Sequence, residues 1–289
     1  MGAIFGSIAG VFGYLLNFIY DLVNNYGLAI ILFTIAVQII LLPFSIKQQK
    51  TLIKNSEIQA KLKDLQSKYK NDQVRLGQET MNLYKTEKMS PFSGCLTSIL
   101  QLIIFVSIFT LVRQPLTYMN GMTQDQIQQY IDKYQISEQS NYKEIDIIRE
   151  AKREGDDSIA IEMQFLGIDL SNIPSRNWSD WTVYIIPGLY VISSMISMKL
   201  TTRQRKKKEL TNSTNKNVDE KALVQKDEDD VYDAMESMNK QMSIMIPIMA
   251  VSVAIISPLG LALYWLVNNI MTTLLRLILN KFFDKKDEV

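Results

Sequence analysis

The chain has 289 residues, of which 47% are hydrophobic, and its 31 Lys and Arg nearly balance its 30 Asp and Glu. A single cysteine excludes an internal disulfide, and the absence of histidine excludes His-based catalytic triads and His-ligated metal sites. With no glycine-rich phosphate loop either, few conventional catalytic chemistries remain.

The first predicted element is an amphipathic helix over residues 1–25. Its apolar side chains recur at helical spacing opposite a face of Gly, Ser and Asn, and it lacks the basic start and the cleavage site of a secretory signal. A helix that lies in the membrane interface fits this pattern, and a sixth membrane-spanning helix is the alternative.

Four stretches contain no charged residue: 22–46, 93–112, 181–198 and 241–275. The last is too long for one span and is broken by the turn Ser257-Pro258-Leu259-Gly260. The sequence therefore predicts an all-α polytopic membrane protein with five spans, at 26–46, 93–112, 181–199, 242–257 and 258–280. Apolar helices of a soluble core are the alternative, which five such helices in one chain disfavour.

The loops between the spans predict the orientation. Segment 47–92 holds ten Lys and Arg against five Asp and Glu, whereas segment 113–180 holds seven against twelve. Loop 200–241 begins with a basic cluster, and the tail 281–289 holds three lysines. Because positively charged loops stay in the cytoplasm, we expect a multi-pass cell-membrane protein with its N-terminus outside and its C-terminus in the cytoplasm.

The two longest loops have predicted structure of their own. Segment 47–92 (the cytoplasmic hairpin) has two amphipathic arms around Asn71-Asp72, and is either a solvated strut or a docking surface for a cytoplasmic partner. Segment 113–180 (the outer segment) predicts amphipathic helices near 123–135 and 141–154, followed by the extended stretch 165–174.

Polar side chains recur on single faces of the predicted spans. A buried carboxamide such as Gln38 costs free energy in hydrocarbon unless it has a partner or faces water. Hydrogen bonding between helices is one explanation, and a water-containing intramembrane groove is the other. An ion pore is not indicated, because the spans contain no Asp or Glu. The candidate groove residues are Thr34, Gln38, Thr97, Gln101, Tyr264, Trp265, Asn269, Thr272 and Arg276.

Five segments together resemble the YidC/Oxa/Alb membrane-protein insertases of the Gram-positive type. They are AIILFTIAVQIILLPFSIKQQK at 29–50, YKNDQVRLGQETMNLYK at 69–85, PFSGCL at 91–96 followed by Gln101, FLGIDL at 165–170 and PLGLALYWLVNNI at 258–270. The resemblance covers all five predicted spans and the cytoplasmic hairpin, in the family's order.

The resemblance implies a five-helix core around a hydrophilic groove that is open to the cytoplasm. It implies an insertase and chaperone that is not an enzyme, uses no cofactor or nucleotide and binds no specific DNA. Its expected partners are nascent membrane proteins, the ribosome, the Sec translocon and membrane lipids. A small-solute transporter or channel is the alternative function, although no internal repeat, broken helix or intramembrane carboxylate is predicted that would favour it.

The chain departs from the family pattern at several positions. Gln38 stands where the family usually has an arginine, Thr97 and Ile103 replace prolines, and Ala60 stands where a proline is common. Arg276 lies on the same helical face as Trp265 and is either a replacement cation for the groove or a side chain that reaches the cytoplasmic headgroups.

Overall fold

The computed structural model describes residues 2–69, 72–87, 93–214 and 252–284. Most of the predicted fourth span at 242–257, of loop 200–241 and of tail 281–289 lies outside these ranges. The helices are α1 (Gly2–Val23), α2 (Tyr26–Ile40), α3 (Leu42–Lys68), α4 (Gln73–Thr86), α5 (Ser93–Arg113), α6 (Pro115–Tyr118), α7 (Gln124–Lys133), α8 (Lys143–Glu154), α9 (Ile185–Thr214) and α10 (Leu259–Asp284).

Several of these helices are long and apolar enough to cross a membrane. Phe5–Val23, Trp181–Leu200 and Leu259–Lys281 qualify alone, the bent pair Tyr26–Ile40 and Leu42–Thr51 qualifies as one broken span, and Ile99–Arg113 is a shorter apolar helix. The only sheet in the described ranges is a two-stranded antiparallel hairpin, β1 (Gln164–Phe165) with β2 (Ile168–Asp169). The chain is therefore an all-α polytopic membrane protein, as the sequence predicts.

The predicted first span, 26–46, is bent by 62° between α2 and α3. Pro43 lies in the first turn of α3. Proline has no N–H to donate to the carbonyl four residues earlier, and its ring clashes with that carbonyl, so the helix cannot continue straight. At the other end of α2, the Asn25 side chain accepts a hydrogen bond from the Leu28 N–H at 3.0 Å and fixes where the helix begins.

Helices α3 and α4 pack together as a helical hairpin in the segment that the sequence predicts to be cytoplasmic. Asp72 caps α4 by accepting a hydrogen bond from the Arg75 N–H at 2.9 Å. At the base, Lys54 Nζ donates to the Glu87 carbonyl at 2.6 Å, and Lys61 forms an ion pair with the Glu87 carboxylate. The hydrogen bond and charge of Lys61 lower the pKa of Glu87, so this link is ionic at neutral pH.

The outer segment contains much of the buried core. Its helices α7 and α8 confirm the two helices predicted near 123–135 and 141–154. Glu144 of α8 accepts hydrogen bonds from the N–H and the hydroxyl of Thr117, at 3.0 and 2.6 Å, and burial raises the pKa of Glu144. The neighbouring carboxylate of Asp146 is also buried and pairs with Arg149 and Arg176, at 2.7 and 2.8 Å.

The outer segment also holds the first residues of α2 and α10. The Tyr26 N–H donates to the Glu162 carbonyl, and the Gly260 N–H donates to the Leu170 carbonyl, both at 3.0 Å. Phe165 of the β-hairpin packs so closely on α2 that a Cβ atom at Gly27 would lie 2.3 Å from its ring. These contacts fix α2 and α10 side by side. Helix α10 also packs along α9, and α1 packs on α2 and α5.

The long helices expose large apolar side chains on faces turned away from these contacts. Such faces are expected where helices meet lipid rather than water. They include Val11, Tyr14, Phe18 and Leu22 of α1, Leu28, Leu32 and Ile39 of α2, Ile99 and Leu102 of α5, Leu189, Ile192 and Ile196 of α9, and Ile270, Leu274 and Ile278 of α10.

Candidate functional site

Gln38 does not stand alone in its helix, because its carboxamide reaches α10. The Gln38 Nε2 donates hydrogen bonds to Asn268 Oδ1 at 2.7 Å and to Thr272 Oγ1 at 3.3 Å. Asn268 and Thr272 are four residues apart and so lie on one face of α10. All three side chains are half-buried. The amide that the sequence singles out is thus part of a polar contact between two apolar helices.

The residues that follow Asn268 and Thr272 on α10 contact its other neighbour, α9. Asn269 Nδ2 donates to Ser193 Oγ at 2.9 Å, and Thr273 Oγ1 lies 2.8 Å from Ser197 Oγ. The predicted polar stripe of α10 is therefore divided, because Thr272 contacts α2 whereas Asn269 contacts α9. Helix α10 is joined by side-chain hydrogen bonds to both of its neighbours.

Trp265 lies one turn before Asn269 on α10, in an aromatic cluster. Its ring stacks on Phe105 of α5, with centroids 5.8 Å apart and planes 12° apart, and meets Tyr190 of α9 at 6.2 Å. Trp265 is only 7% exposed, and its Nε1–H has no hydrogen-bond partner among the residues that the structure describes. The preceding residue, Tyr264, is also buried. An unpartnered donor in such a place costs free energy unless water or another group satisfies it.

Thr34 and Gln101 do not hydrogen-bond within this contact in the described part of the chain. Thr34 is buried and donates to the Ile30 carbonyl of its own helix at 2.7 Å, a bond that satisfies it locally. Gln101 is exposed on α5, and Arg276 is half-buried one turn beyond Thr272. Thr97 lies in α5, but its side chain is outside the described part of the structure.

The chemistry of this contact is that of neutral donors and acceptors. No Asp or Glu occurs in 22–46 or 241–275, and in the described ranges no three His, Cys, Asp or Glu side chains are grouped to hold a metal ion. Amides and hydroxyls at membrane depth can exchange hydrogen bonds with water or with peptide groups. The arrangement can therefore solvate a polar segment, and it offers no nucleophile beside a base.

Asn268 is the main residue of the contact that sequence reasoning missed. The predicted face of α10 passes through Trp265 and Asn269, and Asn268 lies about 100° away from Asn269 around the helix. The sequence signal that could have identified Asn268 is its spacing of four residues from Thr272. That spacing defines a second polar face, and only the packing of α2 beside it gives the face a partner.

Comparison with protein families gives a match that covers most of the elements described above. A family model described as 60Kd inner membrane protein matches residues 18–286. A protein of Caldanaerobacter subterraneus subsp. tengcongensis named membrane protein insertase YidC is 47% identical over 107 residues, which are 37% of this chain and 52% of that protein. Proteins of the same name from Syntrophus aciditrophicus and Francisella tularensis subsp. novicida are 44% and 43% identical over 94 and 96 residues.

The matched regions are partial on both sides. The matches to the Syntrophus and Francisella proteins cover 32% and 33% of this chain, and 17% of each of those proteins. The chain thus spans about half the length of the first relative and a smaller share of the other two.

Proposed function

This chain belongs to the 60Kd inner membrane protein family, and on that premise we propose that it is a membrane-protein insertase and chaperone. It receives nascent membrane proteins in a polar intramembrane groove and releases their apolar segments into lipid. The activity consists of lowering the cost of moving polar peptide through hydrocarbon, and it needs no covalent chemistry. The family match over nearly the whole chain is the observation that carries this proposal.

The contact between α2 and α10 supports the position of the groove. We place it beside Gln38 and Thr272, with Trp265 and Tyr264 toward the outer end and Arg276 toward the cytoplasm. We assign Gln101 of α5 to the same space, with Thr34 and Asn269 in its walls, and Thr97 belongs to the proposed groove on the family resemblance alone. The neutral hydrogen-bonding groups would hydrate a passing tail, while exposed apolar faces of α9 and α10 border lipid.

The cytoplasmic hairpin is the proposed entrance for substrate. Val74 and Met81 of α4 are exposed and seven residues apart, so they lie on one face of the helix. An exposed apolar face on a charged hairpin suits transient contact with an apolar nascent segment. On this basis and on the family resemblance, we propose the ribosome and the Sec translocon as partners. We also propose that the working protein has five membrane spans.

We further propose that the N-terminus is outside and the C-terminus cytoplasmic. Tyr118, five residues beyond the end of α5, lies close to both Gly6 and Gly13 of α1. If α1 crossed the membrane with Val23 at the outer surface, Gly6 and Gly13 would lie about 26 and 15 Å below that surface. Contact with a residue of the outer segment favours a helix that lies across the outer ends of α2 and α5.

A complementation experiment tests the proposed function. The full chain is expressed in a bacterial strain whose own insertase is depleted, and insertion of a single-span reporter is measured by protease protection of its translocated tail. We expect restored growth and a protected tail. Membrane-integrated protein that restores neither would contradict the proposal. A variant that lacks the two arms of the cytoplasmic hairpin is the matched control and should integrate but not restore insertion.

A further inference from the structure

The amide pair formed by Gln38 and Asn268 leaves two complementary groups without a bond in the described part of the chain. The Gln38 nitrogen uses its donors on Asn268 Oδ1 and Thr272 Oγ1, at 2.7 and 3.3 Å. The described contacts leave the Gln38 carbonyl oxygen as an acceptor and the Asn268 nitrogen as a donor. Both side chains are half-buried rather than sealed in the helix interface.

A peptide group has the matching chemistry. It carries one N–H donor and one carbonyl acceptor, so it can donate to the Gln38 oxygen and accept from the Asn268 nitrogen. Resting on the proposed function, we propose that this amide pair binds the backbone of an extended, uncharged segment of the substrate. Recognition through the backbone does not depend on the side chains of that segment.

The position of the pair along its helices supports this assignment. Gln38 is twelve residues from the start of α2 and Asn268 is nine from the start of α10, which places them about 18 and 14 Å from the outer ends. The hydrocarbon core is about 30 Å thick, so both amides lie near its middle. Peptide groups cross this depth at the highest cost, and a preformed donor and acceptor reduce that cost most there.

The charges around the pair favour uncharged substrate segments. No acidic residue lies in 22–46 or 241–275 to bind a basic segment. The nearest cation on α10, Arg276, lies eight residues from Asn268, or about 12 Å along the helix, and has interactions of its own. A segment at the amide pair therefore meets neutral partners, and we expect tails without charge to be its preferred substrates.

Reconstitution of the full chain into phospholipid vesicles provides the test. The substrate is a single-span protein with an uncharged Ser/Ala/Gly tail, and the readout is the initial rate at which the tail becomes protease-protected. Gln38→Leu removes the amide at similar volume. Thr273→Val is the matched control, because it removes a hydrogen bond from α10 to α9 instead of α2. We expect about a fivefold loss for Gln38→Leu and less than a twofold loss for the control.

A second substrate separates backbone binding from a purely structural link. Proline lacks the N–H donor, so a tail of consecutive prolines should enter wild-type vesicles more slowly and should be insensitive to Gln38→Leu. The double variant Gln38→Asn/Asn268→Gln keeps the summed length of the two side chains and should restore the rate lost in Gln38→Asn. This exchange keeps the test valid if Gln38→Leu fails to fold.

The outcomes distinguish this inference from the proposed function. Wild-type vesicles that insert no more substrate than empty vesicles would contradict the proposed function itself. Wild-type insertion that Gln38→Leu leaves unchanged would overturn only the backbone-binding role. Equal losses for the proline tail and the Ser/Ala/Gly tail in Gln38→Leu would also overturn it, because they would mean that the pair acts solely by joining α2 to α10.

Discussion

Replacing Gly13 with alanine is expected to displace α1 from the helices on which it packs. A Cβ atom at this position would lie 2.1 Å from the Tyr118 carbonyl oxygen, far inside the ~3.5 Å of a normal contact. The obstacle is backbone, so α1 itself must retreat by about 1 Å. Overpacking of this kind costs about 1–3 kcal/mol and outweighs the gain of about 0.5–1 kcal/mol for alanine over glycine in a helix.

Gly10 provides the matched control on the same helix. A Cβ atom there meets nothing within 4 Å, so Gly10→Ala should stabilise the protein by about 0.5–1 kcal/mol. Thermal unfolding in detergent, followed by tryptophan fluorescence, measures both changes, with 1 kcal/mol worth about 2–4 °C in Tm. We expect a lower Tm for Gly13→Ala and a higher Tm for Gly10→Ala. Shifts of the same sign and size would refute the packing of α1 on Tyr118.

Three further predictions use the same assay. Because burial raises the pKa of Glu144, the folded state takes up this proton first as the pH falls, and the contribution of Glu144 to the free energy of unfolding should rise on acidification. Glu144→Gln should remove this contribution to the pH dependence of the free energy of unfolding, and an unchanged pH dependence would contradict the prediction. Trp265→Ala should cost about 3–5 kcal/mol. Trp265→Phe keeps one aromatic ring and loses the second ring and its N–H, so it should cost less than Trp265→Ala; equal costs would contradict the stacking of this ring in the cluster. Arg176→Ala should cost about 1.5–3 kcal/mol because it takes a partner from buried Asp146, whereas the exposed Arg153→Ala should change stability by less than about 1 kcal/mol.

The sequence predicts those features of the fold that depend on local composition. Charge-free stretches mark the spans at 26–46 and 181–199, because hydrocarbon excludes charge over a known length. Helical periodicity locates α7 and α8 in the outer segment. The prediction of an unbroken first span was wrong, because Pro43 prevents the helix from continuing straight and the span bends by 62°.

The candidate site depends on contacts that the sequence does not contain. Helical spacing places Asn269 and Thr272 on one side of α10, yet their partners belong to different helices. Thr34 shares a face with Gln38, but it bonds its own backbone instead of a neighbour. The partner helix of each polar side chain depends on how α2 and α10 are held together at their first residues. The contacts that hold them there come from the distant residues Glu162 and Leu170.

Site-specific photocrosslinking to ribosome-bound nascent chains tests the central claim most directly. A photoreactive residue is placed at Gln38 or Trp265 in the proposed groove, and at Val11 as the control, because Val11 is 70% exposed on the apolar face of α1. A nascent membrane protein should give adducts from Gln38 and Trp265 and few from Val11. Adducts from Val11 alone, or from none of the three in protein that is integrated in the membrane, would contradict an insertase groove between α2 and α10.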